Sequence, residues 1–364
     1  MVINMKTNRG ILLSLAISSA CSVNAAEIFN KDGNQLALYG KIEVRNQSGK
    51  NGQSGDDSRV RLGLKGTSEI SDGFYGFGHF EWETKTNKNE EDSNSKNRLV
   101  YAGFRLDDVG SVDYGRNYGV LYDIGGWTDV LPIYWDSGMY KADNYMTSRN
   151  RGLLTLRHSD LFGYAQGLNV AIQYQGDNDN DDISASKDSL KNNGKGLGIS
   201  LFYDTDLGLS VGGGYANSRT AKPGLAESYA TGKNAEAWNI GAKYNANNLY
   251  LAATYGQTRN MTSFGSKIHN VAPKTDTVEV VAQYLFDFGL KPSIAYMQTK
   301  ARSVGRYGDN DLNKYISLGS FYYFTDDFFA MVDYKINFLE DNEFTRFYGI
   351  KKDNVFAVGL TYRF

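Results

Sequence analysis

Groups able to make or break bonds are scarce in this chain. His79, His158 and His269 are its only imidazoles, and its single cysteine, Cys21, falls within the first 25 residues. No histidine stands in a Ser, His and Asp arrangement that would activate a nucleophile. The segment Gly194-Lys195-Gly196-Leu197-Gly198 lacks the spacing of a phosphate-binding loop. The run Asp177-Asn178-Asp179-Asn180-Asp181-Asp182 has calcium-loop composition without the Gly and the distant Glu of that site. The reading is therefore of a chain with no catalytic residue, no cofactor and no built metal site.

Fixed charges are plentiful and regularly placed. Lys41, Arg61 and Arg98 fall on what read as inward registers of consecutive early strands, and Arg149 and Arg151 directly follow the longest connection, residues 117–148. That connection carries Asp123, Asp129, Asp136 and Asp143, and Glu81 is read as an acid facing the same interior. Cations held across a narrow gap from carboxylates create a transverse field, which sorts solutes by charge and size. The chemistry expected is selection rather than catalysis. The bland alternative is that such charges solvate a wall and pair among themselves.

The elements that would hold these residues are strands with two different faces. In the last stretch, Phe356, Val358, Leu360, Tyr362 and Phe364 alternate with Val355, Ala357, Gly359, Thr361 and Arg363. A pleated strand would place the first set on one face and the second on the other. Leu36, Leu38, Ile42 and Val44 alternate in the same way with Ala37, Tyr39, Lys41, Glu43 and Arg45. Val278, Val280, Ala282 and Tyr284 oppose Thr277, Glu279 and Gln283, while Phe328, Ala330, Val332, Tyr334 and Ile336 oppose Asp333, Lys335 and Asn337. About ten residues of tilted strand cross a bilayer, so an apolar stripe ended by aromatics suits lipid outside and water inside.

Composition agrees. With Tyr 26, Phe 19, Gly 40 and Pro 4, the chain is aromatic and rich in turns, yet its mean hydropathy is −0.46. No apolar run reaches the roughly 18 residues of a membrane-spanning helix, whereas a barrel with a polar lumen escapes that test. The start resembles a secretory signal: Lys6 and Arg9, an apolar Ile11 to Ala20, and Val23-Asn24-Ala25 before Ala26. Residues 1–25 are thus expected to be removed, leaving one domain over 26–364. The aliphatic residue that a lipoprotein site needs three positions before Cys21 is missing. Removing Lys6 and Arg9 leaves 37 basic against 41 acidic residues, a balance of −4, and no basic block suggests nucleic acid.

Turn signals set the strand count. Seven tight turns fall at Ser71 to Gly73, Asp107 to Gly110, Ser159 to Gly167, Asp206 to Gly208, Asn245 to Asn248, Phe286 to Gly289 and Thr325 to Asp327. Eight longer segments lie near 48–57, 87–96, 117–148, 177–194, 220–234, 261–273, 303–311 and 339–351. Together they join sixteen strands, short turns on one side and long loops on the other, in an all-β antiparallel transmembrane barrel. Such a barrel must close, because an open edge in lipid leaves amides unpaired, and at this size it encloses water. The 117–148 segment also holds Tyr118, Val120, Leu121, Tyr122, Ile124, Trp127, Leu131, Ile133, Tyr134 and Trp135, too much apolar surface for an exposed loop. It is expected to fold in against the inner wall and narrow the bore.

Several motifs in one order carry a resemblance. Ser111-Val112-Asp113-Tyr114-Gly115-Arg116-Asn117-Tyr118-Gly119-Val120 and Thr128-Asp129-Val130-Leu131-Pro132 are similar to the infolded third loop of the Gram-negative general porins, the osmoporin and phosphoporin group. Ala26-Glu27-Ile28-Phe29-Asn30-Lys31-Asp32-Gly33, Ala246 to Ala252, Gln283 to Tyr296 and the terminal Phe364 match as well. The resemblance implies an outer-membrane homotrimer of sixteen-stranded barrels that passes ions and small hydrophilic solutes through an eyelet. It implies Lys41, Arg61, Arg98 and Arg149 as the eyelet's basic side and Asp129 as one loop acid. Many relatives place a Glu after the Leu-Pro pair. This chain has Ile133 there, with Asp136 three residues on, so weaker cation selectivity is expected. The resemblance further implies a latch near Glu90 and Glu91 over a neighbouring subunit, contact with outer-membrane lipid and lipopolysaccharide, and a terminal signal, Tyr362 and Phe364, for the outer-membrane assembly machinery. The rival reading is a solute-specific channel preferring a sugar or an anion, with Tyr134, Trp135 and Tyr140 starting an aromatic ladder.

Overall fold

The computed structural model describes residues 26–50, 54–87, 89, 95–178, 191–220 and 228–364. The expected signal sequence and the Glu90 and Glu91 latch lie outside these. The chain opens with β1 (Ala26–Lys31) and β2 (Asn34–Gly49), then β3 (Arg59–Ser71), β4 (Phe74–Lys85), β5 (Ser95–Leu106) and β6 (Gly110–Tyr118). After the long infolded loop come β7 (Arg149–Ser159), β8 (Leu168–Gln175), β9 (Asn193–Asp204), β10 (Leu209–Thr220) and β11 (Asn234–Ala246). The last six are β12 (Leu249–Phe264), β13 (Asn270–Tyr284), β14 (Leu290–Arg302), β15 (Asn310–Tyr323), β16 (Phe328–Asn337) and β17 (Val355–Arg363).

Every neighbouring pair from β2 to β17 is antiparallel, and β17 pairs back onto β2, from Val355 opposite Gly49 to Arg363 opposite Lys41. Sixteen staves therefore close a ring without an edge, as the turn count requires. β1 was not anticipated as a strand. It continues the line of β17 along the same side of β2, with Ala26 opposite Leu38, and the Phe364 carbonyl accepts from the Gly40 amide at 2.8 Å. A second correction concerns 261–273, where both strands run on and leave only 265–269 as connection. The lumen residues Met261, Thr262 and Phe264 are buried, so continued pairing there is reinforced by packing.

The two-residue hairpin between β11 and β12 turns on Asn247 and Asn248 at φ 53° and 63°. Two left-handed residues in succession match the strand twist, and Asn tolerates that conformation. Face assignment follows the period of two: Val280 and Tyr284 are about two-fifths exposed, whereas Thr277, Glu279 and Gln283 between them are buried. Outside the barrel, Tyr203, Tyr215, Tyr255, Tyr284, Tyr322, Tyr334 and Tyr362 stand exposed among aliphatic side chains, the distribution expected at membrane interfaces. On the long-loop side, Phe264, Val304, Phe344 and Tyr348 form a small core with Tyr229 and Tyr307. Its helix α2 (Glu343–Tyr348) begins with a capping box between Asn342 and Thr345.

Candidate functional site: the pore constriction

The 119–148 segment lies on the inner wall, apolar side down. Val120, Leu121, Ile124, Trp127, Met139, Tyr140, Tyr145 and Met146 are all buried. The wall is thinned to receive them: a Cβ added to Gly198 would meet Val120 at 2.7 Å, one on Gly241 would meet Ile124 at 2.8 Å, and one on Gly256 would meet Met139 at 2.5 Å. These glycines sit at lumen registers and let loop side chains reach the backbone of the sheet. Burial of this size holds a loop that propensity alone would leave in water.

Polar pegs fix the height of the loop. Asn239 donates to the Leu121 carbonyl at 2.7 Å, Tyr250 to the Trp127 carbonyl at 2.6 Å and Gln283 to the Val130 carbonyl at 2.8 Å. Asp333 accepts from the Ile133 and Tyr134 amides at 3.0 and 2.9 Å, and the Asp136 amide donates to Tyr315 Oη at 2.9 Å. The loop opens with α1 (Tyr122–Gly125), and Asp123 of that turn is tied to Arg157 at 2.9 Å and Ser200 at 2.5 Å. At the far end Asp143 is held by both Arg116 nitrogens, at 2.6 and 3.0 Å. Asp123 and Asp143, expected near the passage, are therefore structural ties.

Opposite stands a wall in which cations and acids interleave. Lys41, Arg61 and Arg98 do face the lumen, but on β2, β3 and β5, with β4 between the last two. Strict alternation from the outward Val100 would turn Arg98 to lipid. A bulge, where Glu81 pairs Leu99 and Trp82 pairs Asn97, re-aims it inward. The intervening β4 supplies Glu81 and Glu83. Arg98 binds Glu81, and Arg61 approaches Glu83 at 2.7 Å and Glu81 at 3.9 Å. Glu83 also holds Lys96 at 2.7 Å and Arg98 at 3.5 Å, while Glu43 takes Lys41 at 2.5 Å, Arg59 at 2.7 Å and Arg45 at 3.2 Å. Glu43 and Glu83, with Arg45, Arg59 and Lys96, were missed as site residues. For all but Lys96, which the same bulge turns inward, the signal was present in the same period of two that placed Lys41, Arg61 and Glu81.

The loop side is also partly neutralised. Asp136, two-thirds exposed, has Lys335 at 3.6 Å. Ile133, half-buried, packs against Phe321, Phe329 and Met331. Asp129 accepts a hydrogen bond from the Tyr122 hydroxyl, whose pKa burial and Asp129 itself hold well above the usual tyrosine value, so it stays a donor. Tyr122 stacks on Tyr118 at 4.5 Å, and the Arg149 guanidinium lies 5.8 Å from the Tyr118 ring with no carboxylate within 4.0 Å among the described residues. Asp129 and Arg149 thus remain the least compensated pair, bridged by two stacked rings. Trp135 and Tyr140 are stacked as well, but Tyr140 is buried and Tyr134 is fixed by its amide to Asp333. Of the three residues that the rival reading would use for an aromatic ladder, Tyr140 is therefore buried away from the bore.

A closed sixteen-stranded barrel, apolar outside, charged inside and pinched by an infolded loop, is a diffusion channel of the porin class. The family model for the Gram-negative porin matches residues 31–364. Outer membrane porin F of Xenorhabdus nematophila is 50% identical over 373 residues, covering 99% of this chain and 100% of that protein. Outer membrane porin OmpD of Salmonella typhimurium is 47% identical, covering 100% and 97% respectively. A solved structure, Salmonella typhi OmpF complexed with daunomycin, superposes with a TM-score of 0.84 at 41% identity, over 93% of this chain and all of that one. The chain belongs to the Gram-negative porin family and is a general diffusion porin of the outer membrane.

Proposed function

We propose that passage is filtered at one eyelet, between the Glu-buttressed basic wall of Lys41, Arg61, Arg98 and Arg149 and the loop side marked by Asp129 and Asp136. The carrying observation is the infolded loop itself, whose apolar side is spent on the glycine-thinned wall and whose polar side faces the charged strands. Neutral solutes are sorted by size and ions only mildly by charge, because Glu43, Glu81 and Glu83 cancel much of the basic wall. In planar bilayers the expected result is three equal conductance steps, with neutral-sugar permeability falling smoothly with mass. One sugar standing out with saturable flux would replace sieving by a binding site.

The trimer rests on a flat outer patch. Gly66 of β3 stands opposite Gly78 of β4, both outward, and a Cβ at either would meet nothing closer than 3.8 Å. The barrel's own packing does not require glycine there, whereas close approach of a neighbouring subunit does. Contact with lipopolysaccharide head groups is assigned to the charged outer rim of Glu236, Arg259, Asp276 and Arg302, above the tyrosine ring, and outer-membrane lipid covers the aliphatic belt below it. Recognition by the assembly machinery is assigned to Tyr362 and Phe364 on β17, whose end is stapled to Gly40.

Ile133→Glu is expected to raise cation preference. A carboxylate is driven out of apolar contact with Phe321, Phe329 and Met331, and the open direction for it is the bore. One added charge about 8 Å from a passing ion shifts the permeability ratio roughly two- to fivefold. Reversal potentials in a salt gradient, compared with wild type, check it. An unchanged ratio would remove Ile133 from the filter.

A further inference from the structure

We propose that His79 is a selectivity-determining residue: it adds a positive charge to the pore wall on acidification, shifting the channel toward anions, through a built chain Tyr101–His79–Tyr39–Glu81. This rests on the eyelet reading above. His79 lies at a lumen register of β4, two residues on the short-turn side of Glu81, or about 7 Å along the strand. Both ring nitrogens are engaged, Nε2 with Tyr39 Oη at 2.6 Å and Nδ1 with Tyr101 Oη at 2.8 Å. The Tyr39 hydroxyl donates to Glu81 Oε2 at 2.8 Å. With its one proton committed there, Tyr39 accepts from His79 Nε2–H. Nδ1 must then accept from the Tyr101 hydroxyl, which fixes the neutral tautomer.

The arrangement depends on Gly63. Tyr39 is on β2 and its partners are on β4, so its ring must lie across β3. A Cβ on Gly63 would sit 2.1 Å from that ring, and only the missing side chain lets the phenol reach over. Tyr39 is buried and His79 half-buried at the bore, so the chain is rigid at one end and wet at the other.

The charges facing His79 are few. On β3, Lys65 is its cross-strand neighbour, its ammonium 5.1 Å from the Tyr39 ring. On β4 itself there is Glu81, already bound to Arg98, and on β5 Tyr101, the opposite neighbour. On β2 there are Tyr39 and, two residues on, Lys41. Protonating Nδ1 displaces the Tyr101 hydroxyl as donor, leaving Tyr101 to accept, and gives His79 a full charge beside an eyelet in which the other cations are mostly paired. Adding one charge at about 8 Å in a watery bore favours anions over cations by roughly two- to fivefold.

The test is the anion-to-cation permeability ratio of the full-length protein in bilayers, from reversal potentials in a potassium chloride gradient at steps from pH 7.5 down to pH 3.5. Wild type is expected to move several-fold toward chloride as pH falls. His79→Gln keeps a donor and an acceptor for the two tyrosines but cannot charge, and should lose most of that movement while keeping the neutral-pH conductance. Gly63→Ala, which displaces the Tyr39 ring, should alter the pH midpoint without abolishing the shift. An acid shift in His79→Gln equal to that of wild type would assign the titration to carboxylates and overturn the proposal. Failure of both proteins to form three-step channels would instead count against the eyelet reading itself.

Discussion

Glu83→Gln is expected to turn the pore strongly toward anions and to weaken the barrel wall at once. Glu83 is 1% exposed and is the shared partner of Arg61, Lys96, Arg98 and, at 4.0 Å, Arg59. An amide keeps the shape and some hydrogen bonds but removes the charge that four cations share. Leaving buried charge without its partner costs about 3–5 kcal/mol where water is excluded. The lumen is wet, so the lower end, about 3 kcal/mol, applies. The selectivity effect has the same origin. Guanidinium charge now cancelled at the wall would face the passage, and permeability to chloride over potassium should rise roughly fivefold or more. Reversal potentials measure the first effect, and the temperature at which the folded band is lost in a semi-native gel measures the second. A variant with wild-type selectivity would show that these ion pairs lie outside the ion path.

The second large effect is expected from Asp333→Ala. Asp333 is fully buried; its carboxylate takes the Ile133 and Tyr134 amides and the Ser317 hydroxyl, the last at 2.6 Å. Hydrogen bonds to a charged acceptor contribute about 1.5–3 kcal/mol each, so the loop tip would lose roughly 3–6 kcal/mol of attachment. Gln283 and Tyr315 still hold residues on either side. The loop should therefore lift locally between 131 and 136 rather than leave the wall, widening the eyelet. The expected readout is a higher and noisier single-channel conductance, with larger sugars admitted in liposome swelling and the trimer band unchanged. Conductance and sugar cut-off equal to wild type would mean that the apolar underside alone sets the loop's position.

Part of the site is legible in the chain and part is not. Alternation along β2, β3 and β4 turns Lys41, Arg61 and Glu81 toward the lumen because side-chain direction in a strand is a local property of the pleat. The same rule already contained Glu43 and Glu83. They were overlooked because the family pattern draws attention to cations, and an acid beside a cation carries no signal of its own until a sheet sets their separation. Arg98 shows the limit of the rule, since its direction is reversed by a bulge that pairing, not composition, creates. Ile133 and Tyr140 show another: both are apolar residues of one loop, and only docking onto the wall decides that Tyr140 is buried and that Ile133 packs against Phe321, Phe329 and Met331.

The sheet, its sixteen staves, the lipid and water faces and the presence of a loop too apolar to stay outside were all legible along the chain, because each follows from the period of two, from turn chemistry and from the cost of exposed apolar surface. Tertiary structure alone decided the strength of the filter. Charges at lumen registers act on a solute only to the extent that they are not already paired, and pairing across strands is a matter of distances that closure, register and one bulge set. That is why Glu83 and Glu43 offset the cations of the basic wall, whereas Asp129 and Arg149 have no ion-pair partner among the described residues.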